Sequence, residues 1–241
     1  MSKVAVVIPC YNEALRLQTE EFIRFSKMQP DTIFYFVDDG STDKTLQKLE
    51  ALQKEIPDSV RILSMQTNKG KAEAVRRGIV EAAGANEFSH IGYLDADLSA
   101  SISEWHRLRQ IAVDNSYDYI IGSRIKLLDA VIKRSAFRHI VGRFLATLID
   151  SRYRLGIYDT QCGAKCFTTD LARLVSEEPF RTRWFFDVEI LLRMRSRQPP
   201  AQGAEIPLKA WHDRGHSHIG IGNTAGVLKD LFSLFRHYPV K

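Results

Sequence analysis

The stretch TIFYFVDDGSTDKTLQKLEALQ, residues 32–53, decides the fold class. Its first six residues are uncharged and mostly β-branched or aromatic, which is typical of a buried strand. Leucines then recur at helical spacing, and Ser41 stands where we expect the N-cap of that helix. A buried strand that leads through a short polar loop into a helix is the repeating unit of a parallel α/β sheet.

The same unit repeats along the first half of the chain. The predicted strands are Val4–Pro9, Thr32–Val37, Val60–Met65, His90–Leu94 and Tyr117–Gly122. Helices are predicted at Ala14–Lys27, after Ser41, at Lys71–Ala83 and after the capping box Ser101–Glu104. Because strands and helices alternate, the sequence predicts an α/β fold with a mostly parallel sheet and helices on both faces.

The second half of the chain is less regular, and we expect it to complete a single domain over residues 1–241. It is predicted to hold a basic helix, a loop over Asp159–Lys165, a helix near Phe185–Met194, a strand near Glu205–Trp211 and a C-terminal helix. Residues 124–154 contain eight basic and two acidic residues, so the positive charge of the chain is concentrated there. Such a segment usually faces phosphates or an anionic surface, although a solvated basic helix would show the same charge.

Composition excludes several classes of protein. With 44% apolar and 26% charged residues, the chain has material for a sizeable core and is not compositionally disordered. A net charge of +5 is mild, and we expect no nucleic-acid partner. Three cysteines do not make a disulfide framework and suggest a reducing compartment. Since no signal peptide or membrane-spanning apolar run is evident, we expect a soluble or peripheral cytoplasmic protein.

Polar residues follow each of the five predicted strands. They are Asn12-Glu13, Asp38-Asp39, Asn68–Lys71, Asp95–Asp97 and Ser123-Arg124. Ligands of parallel sheets bind outside the carboxyl ends of the strands, so these residues are expected to assemble one site. Asp95 and Asp97 would repel each other there unless a cation such as Mg²⁺ lay between them. A solvated pair at a strand end is the alternative.

Other residues extend or limit this hypothesis. A carboxylate in Asp38–Asp43 could accept from a ribose hydroxyl or a base N–H. The basic side chains Lys69, Lys71, Arg76 and Arg124 could neutralise a diphosphate. The cysteines and the histidines at 212, 216 and 218 lack the paired spacing of a structural zinc site, so phosphate or sugar binding is the preferred role of those histidines.

Several motifs together resemble a known family. IPCYNE (8–13), VDDGSTD (37–43), NKGK (68–71) and DAD (95–97) occur in the order and spacing of the inverting family 2 glycosyltransferases, which have a GT-A fold. The later motifs GSR (122–124), DTQCGAK (159–165), FDVE (186–189) and EIPL (205–208) resemble those of dolichyl-phosphate and polyprenyl-phosphate hexosyltransferases. The run DTQCG is similar to the glucosyl branch. The resemblance implies a nucleotide-sugar-binding half over residues 1–125 and an acceptor and membrane-interface half over 126–241.

The resemblance also implies a role for individual residues. The implied donor-binding residues are Pro9, Tyr11, Glu13, Asp38, Asp39, Lys71 and Asp95. Asp95 and Asp97 would hold the sugar diphosphate through Mg²⁺ or Mn²⁺. The implied catalytic residues are Asp97, Arg124, Asp187 and Glu189, and the implied acceptor-binding residues are Arg134, Arg138, Gln161 and Lys165. Ser99 stands where mannosyl members commonly carry glutamine, and Ala164 stands where relatives carry a bulky residue.

The implied activity is a metal-dependent, inverting transfer of glucose or mannose, from UDP-glucose or GDP-mannose, to a polyprenyl phosphate. Two alternatives stay open: transfer to a saccharide hydroxyl in capsule or cell-wall assembly, and a nucleotide-sugar-binding module without turnover. A lipid acceptor requires contact with a membrane. An apolar stripe flanked by arginines fits that requirement, and it consists of Phe137, Ile140, Val141, Phe144, Leu145 and Leu148. Packing of this stripe on the protein core is the alternative.

Overall fold

The computed structural model describes residues 3–133, 136–213 and 224–240, without the side chains of residues 136–138 and 224. Its strands are β1 (Lys3–Cys10), β2 (Thr32–Asp38), β3 (Val60–Ser64), β4 (Phe88–Leu94), β5 (Tyr119–Ser123), β6 (Val131–Lys133), β7 (Ala164–Thr168), β8 (Gly203–Pro207) and β9 (Ala210–His212). Its helices are α1 (Thr19–Met28), α2 (Thr45–Glu55), α3 (Lys71–Gly84), α4 (Ile102–Asp114), α5 (Ala136–Tyr153), α6 (Thr169–Ser176), α7 (Phe186–Arg195) and α8 (Thr224–His237).

The main sheet has seven strands in the order β3-β2-β1-β4-β7-β5-β8. All neighbouring strands are parallel except β7, which runs antiparallel to both β4 and β5. A second, two-stranded parallel sheet pairs β6 with β9. The predicted fold class, a mostly parallel α/β sheet, is confirmed.

Two hydrophobic layers cover the faces of this sheet. Alternate residues of β1 point to opposite faces, so Val6 and Ile8 pack toward α1, α2 and α4 while Ala5 and Val7 pack toward α3. On the first face, the ring of Phe22 meets those of two β2 phenylalanines edge-on, with centroids 4.9 and 5.1 Å away. Both faces are buried, which is why the central strands are almost continuously apolar.

The structure corrects two predicted helix starts. Helix α1 begins at Thr19, not at Ala14, and α2 begins at Thr45 without a cap from Ser41. The reason is that the loops before these helices bind each other. Ser41 Oγ accepts from the backbone N–H of Asn12 at 3.0 Å, and an Asp43 carboxylate oxygen accepts from that of Ala14 at 3.1 Å. The predicted cap of α4 is confirmed, since Ser101 accepts from Glu104 N.

The second half differs from prediction mainly in its strands. The predicted loop at 159–165 runs into β7, and the single strand predicted near 205–211 is two strands in different sheets. The C-terminal helix α8 packs on α5 through a cluster that includes Ile149, Tyr153, Leu231 and Leu234. Within the described ranges, none of the helices is both long and apolar enough to cross a bilayer.

Candidate active site

The polar loops predicted to converge do meet at the carboxyl edge of the parallel strands. Three contacts join loops that follow different strands. The Asp39 carboxylate receives the backbone N–H groups of Lys69 and Gly70, each at 2.7 Å. The Lys71 Nζ atom lies 2.5 Å from Asp95 Oδ1. Residues from three of the five predicted sets are thus in contact at this edge, where the topology rule places a ligand.

Asp38 and Asp39 are both almost fully buried at the end of β2. Burial raises the pKa of Asp39, although the two N–H donors and the charge of Arg183 oppose that effect. Asp39 thus fixes the loop at residues 68–70, while Asp38 Oδ1 accepts from the backbone N–H of Ser41 at 3.3 Å. Pro9 lies in β1 and pairs with Val37 of β2, and Tyr11 and Glu13 follow this strand, with Tyr11 exposed.

Asp95 and Asp97 form a carboxylate pair after β4. Burial and the charge of Asp95 together raise the pKa of Asp97, and the same two aspartates help to raise the pKa of Glu13, which burial raises most. A Cβ on Gly163 would lie 2.1 Å from Asp95 Oδ2, so only glycine fits beside this carboxylate. Two neighbouring carboxylates repel each other, and a divalent cation that binds their oxygens relieves this repulsion.

The described part of the chain offers no group of three or more His, Cys, Asp or Glu side chains arranged as a metal site. Mg²⁺ is commonly held by one or two carboxylates, with substrate phosphates and water completing its coordination. Asp95 and Asp97 fit a site of that open kind. The remaining ligands would then come from the substrate and from solvent.

Arg124 is clamped by Asp159, a residue of the DTQCGAK motif. Its backbone N, Nε and Nη2 donate to this carboxylate at 3.0, 2.7 and 2.8 Å. Glu205 in turn accepts from the backbone N–H groups of Tyr158 and Asp159, both at 2.7 Å. Burial alone would lower the pKa of Arg124, but the charge and hydrogen bonds of Asp159, together with the nearby Cys162 and Asp95, outweigh burial and raise this pKa. The guanidinium is therefore a fixed positive charge at the edge of the site.

Lys165 requires a correction, because its side chain has no exposed surface. Its Nζ atom donates to Asp187 Oδ1 at 2.5 Å and to the carbonyl of Cys162 at 2.7 Å. The Tyr93 hydroxyl also donates to Asp187, so this carboxylate is engaged twice. Lys165 is thus not placed to touch an acceptor, and Asp187 is not placed as a free base. The three residues form a buried network beneath the site.

Glu189 also requires a correction, since it is completely buried. Its carboxylate accepts from the backbone N–H groups of Arg181 and Thr182 and from the hydroxyl of Tyr238. The catalytic role predicted for Glu189 does not fit this position. It fixes the segment that precedes α7.

The predicted acceptor side lies beside Arg124. Gln161 lines a groove there with Arg143 and Ile149, and its side-chain amide donates to the carbonyl of Trp184 at 3.0 Å. Arg134, His216 and His218 lie outside the described residues, as does the side chain of Arg138. Sequence reasoning did not find Arg183, which reaches the loop at residues 68–70 from far along the chain. No local spacing could have indicated a contact of that kind.

Comparisons with known proteins agree with this geometry. The model of glycosyl transferase family 2 matches residues 5–174. A dolichyl-phosphate beta-glucosyltransferase of Dictyostelium discoideum is 33% identical over 98% of this chain and 74% of its own length. One of Homo sapiens with the same name is 32% identical, over 98% of this chain and 76% of its own length.

Solved structures show the same fold at lower identity. Glucosyl-3-phosphoglycerate synthase from Mycobacterium tuberculosis, in complex with Mn²⁺, UDP and glucosyl-3-phosphoglycerate, superposes with a TM-score of 0.71. That match is 15% identical and covers 100% of this chain and 81% of the synthase chain. The same enzyme with Mn²⁺, UDP-glucose and phosphoglyceric acid gives a TM-score of 0.70 at 18% identity, covering 100% and 81%.

Proposed function

The chain belongs to glycosyl transferase family 2, and from that premise we propose that it transfers a hexose from a nucleotide diphosphate sugar to a polyprenyl phosphate. The observation that carries the proposal is the arrangement of charge at one sheet edge. The carboxylate pair Asp95 and Asp97 is set to hold a cation, and Arg124 is held in place by Asp159 with three hydrogen bonds. Together they suit a substrate with a diphosphate leaving group.

Glucose from UDP-glucose is the donor that the comparisons favour. The relatives at about one-third identity are named as glucosyltransferases, and structures of the same fold are in complex with UDP or UDP-glucose. Asp38 and Asp39 at the end of β2 supply buried carboxylates on the side where the nucleoside would lie. GDP-mannose is the other donor to be tested.

Asp95 and Asp97 would hold Mg²⁺ or Mn²⁺ in this proposal. When bound, the cation neutralises charge that develops on the departing diphosphate. The chain's own cations would act in the same direction, since Lys71 lies beside Asp95 and Arg124 is close enough to feel the charge of Asp95. Positioning of the two substrates and stabilisation of the leaving group are then the main tasks of the site.

The hydrogen bonds of Asp187 and the burial of Glu189 favour a phosphate acceptor over a saccharide hydroxyl. A phosphate monoester is anionic at neutral pH, so its oxygen can attack the anomeric carbon without a general base. The new bond to that carbon forms as its bond to the diphosphate breaks, which inverts the configuration. A hydroxyl acceptor would need a base. Asp187 accepts from both Lys165 and Tyr93, and Glu189 is fully buried, so neither carboxylate is free for that role.

A lipid acceptor also places the protein at a membrane surface, and we expect it on the cytoplasmic face. Helix α5 leaves Ile140 and Phe144 exposed, at 66% and 68%. Two other residues of the predicted stripe, Leu145 and Leu148, pack against the cluster formed with α8. The predicted stripe is therefore divided, with one part in the core and one part available to lipid.

A transfer assay tests the proposal. The protein is incubated with Mn²⁺, undecaprenyl or dolichyl phosphate, a soluble oligosaccharide, and radiolabelled UDP-glucose or GDP-mannose, with Asp97→Asn as the matched inactive control. We expect label in the lipid phase from UDP-glucose. Label on a soluble saccharide instead would establish the hydroxyl acceptor, and donor binding without any transfer would establish a binding module.

A further inference from the structure

Residues 181–184, between α6 and α7, are fixed by carboxylates from two different helices. Glu189 of α7 accepts hydrogen bonds from the first two backbone N–H groups, at 3.0 and 2.7 Å. Asp230 of α8 accepts from the next two, both at 2.8 Å. Four consecutive amides are thereby held, so the side chains of this segment leave it in defined directions.

One of these side chains, Arg183, reaches the loop that follows β3. Its Nη2 atom lies 3.3 Å from Asn68 Oδ1. A Cβ on Gly70 would lie 2.7 Å from both Nε and Nη2 of Arg183, so only glycine allows the guanidinium to come this close. The same loop receives Asp39, whose carboxylate accepts from the N–H groups of Lys69 and Gly70. Arg183 therefore stands at the edge of the proposed donor pocket.

Arg183 differs in its charge balance from three other cations around the site. Lys71, Arg124 and Lys165 are each paired with an aspartate, at 2.5, 2.7 and 2.5 Å. Arg183 is exposed and forms no ion pair with any residue in the described ranges. Among the residues that the structure describes, its side chain donates to the neutral amide of Asn68, and its charge reaches far enough to oppose the burial that raises the pKa of Asp39.

We propose that Arg183, on the segment held by Asp230 and Glu189, binds a phosphate of the donor nucleotide. The inference rests on the proposed function, because it takes a nucleotide sugar as the donor. An arginine offers several donors in a planar fork that matches phosphate oxygens, and a cation without a carboxylate partner loses no ion pair when it binds them.

The test measures affinity for UDP and for uridine, which lacks the phosphates. In buffer with Mg²⁺, we expect Arg183→Met to weaken UDP binding by about tenfold to a hundredfold, the range for a hydrogen bond to a charged group. Uridine affinity should stay unchanged, KM for the donor should rise, and kcat at saturating donor should change little. Arg183→Lys should recover part of the loss. Arg181→Met, in the same segment, is the matched control and should bind UDP normally.

An Arg183→Met protein that binds UDP as tightly as wild type would overturn the inference. An equal loss of UDP and uridine affinity would also overturn it, since a distorted pocket and not a lost phosphate contact would then be the cause. Thermal unfolding of each variant checks that the fold is intact. These binding measurements need no acceptor, so a failure of lipid transfer would contradict the proposed function and leave this inference standing.

Discussion

The Nζ atom of Lys165 lies 2.5 Å from Asp187 Oδ1, and neither side chain is more than 6% exposed. This ion pair joins β7 to the start of α7, and the two paired residues are 22 positions apart in the sequence. Tyr93 from β4 adds its hydroxyl to the same carboxylate. A buried charge that loses its partner is strongly destabilising. The stability of this buried network therefore depends on both residues.

We therefore expect Lys165→Met to destabilise the protein by about 3–5 kcal/mol, because it leaves a buried carboxylate without its cation. The measurement is urea unfolding followed by circular dichroism. Lys165→Met combined with Asp187→Leu should recover much of that loss, since no unpaired charge then remains. A single variant within about 1 kcal/mol of wild type would contradict the buried pair, because such a value is typical of an exposed one.

A second prediction concerns the carboxylate pair. Asp97→Asn removes one charge and keeps the shape, so we expect transfer from UDP-glucose to fall by a factor of about a hundred or more, in the range found when an electrostatic stabiliser is removed. Chelation by EDTA should reproduce the loss in wild type, and added Mn²⁺ should reverse it. Asp170→Asn, an exposed carboxylate at the start of α6, is the control. Transfer that survives both treatments would exclude the metal site.

A third prediction follows from His90. Burial lowers its pKa to about 4, and the charge of Arg109 acts in the same direction. The unfolded chain has a histidine pKa of about 6.5, so between these values it binds the proton more tightly than the folded protein does. This contribution to stability is present above pH 6.5 and falls as the pH decreases toward 4.

His90→Gln should consequently show a shallower loss of thermal stability over that pH range than wild type. The exposed His139→Gln variant on α5 serves as the comparison and should follow the wild-type profile. Melting curves at intervals between pH 4 and 7 measure the difference. If the melting temperature falls equally steeply with decreasing pH in wild type and in His90→Gln, His90 binds its proton as tightly in the folded state as in the unfolded state, and the prediction is wrong.

The strands and helices that the sequence predicts correctly are those marked by a pattern of neighbouring residues. Continuous apolar runs identify the parallel strands, and leucines at helical spacing identify the helices between them. The topology rule then predicts Asp39, Asp95 and Arg124 at one edge. The start of α1 was missed because the hydrogen bond between Ser41 and Asn12 competes with local helix propensity across 29 residues. Pairing over such distances leaves no periodic signal.

The motifs of the second half show the same limit at the level of function. A motif marks which residues matter but not which of them face the substrate. In DTQCGAK, Asp159 clamps Arg124 while Lys165 turns into the core. In FDVE, Glu189 is completely buried and fixes residues 181 and 182. Of these residues, Lys165 lies on β7, which is inserted antiparallel between β4 and β5.

The last prediction concerns the outer surface of α5 and α8. On α5, Ile140 and Phe144 are exposed one turn apart, and α8 exposes Leu228 and Phe232 with the same spacing, at 60% and 68%. Ile140 and Phe144 lie within residues 124–154, where the positive charge of the chain is concentrated. Leu228 and Phe232 lie on α8, which packs against α5. Exposed apolar groups beside basic residues are the combination that binds an anionic bilayer surface.

Ile140→Ser with Phe144→Ser should therefore reduce co-sedimentation with anionic liposomes and lower transfer to long-chain polyprenyl phosphate, while transfer to a short, water-soluble prenyl phosphate should change little. Val113→Ser, an exposed apolar residue on α4, is the matched control and should bind liposomes normally. Arg134→Glu with Arg138→Glu should weaken the same binding in a salt-dependent manner, because each basic residue near such a surface contributes about 1 kcal/mol. If wild-type protein does not bind anionic liposomes at low salt, the proposed membrane contact is wrong, and a soluble saccharide becomes the favoured acceptor.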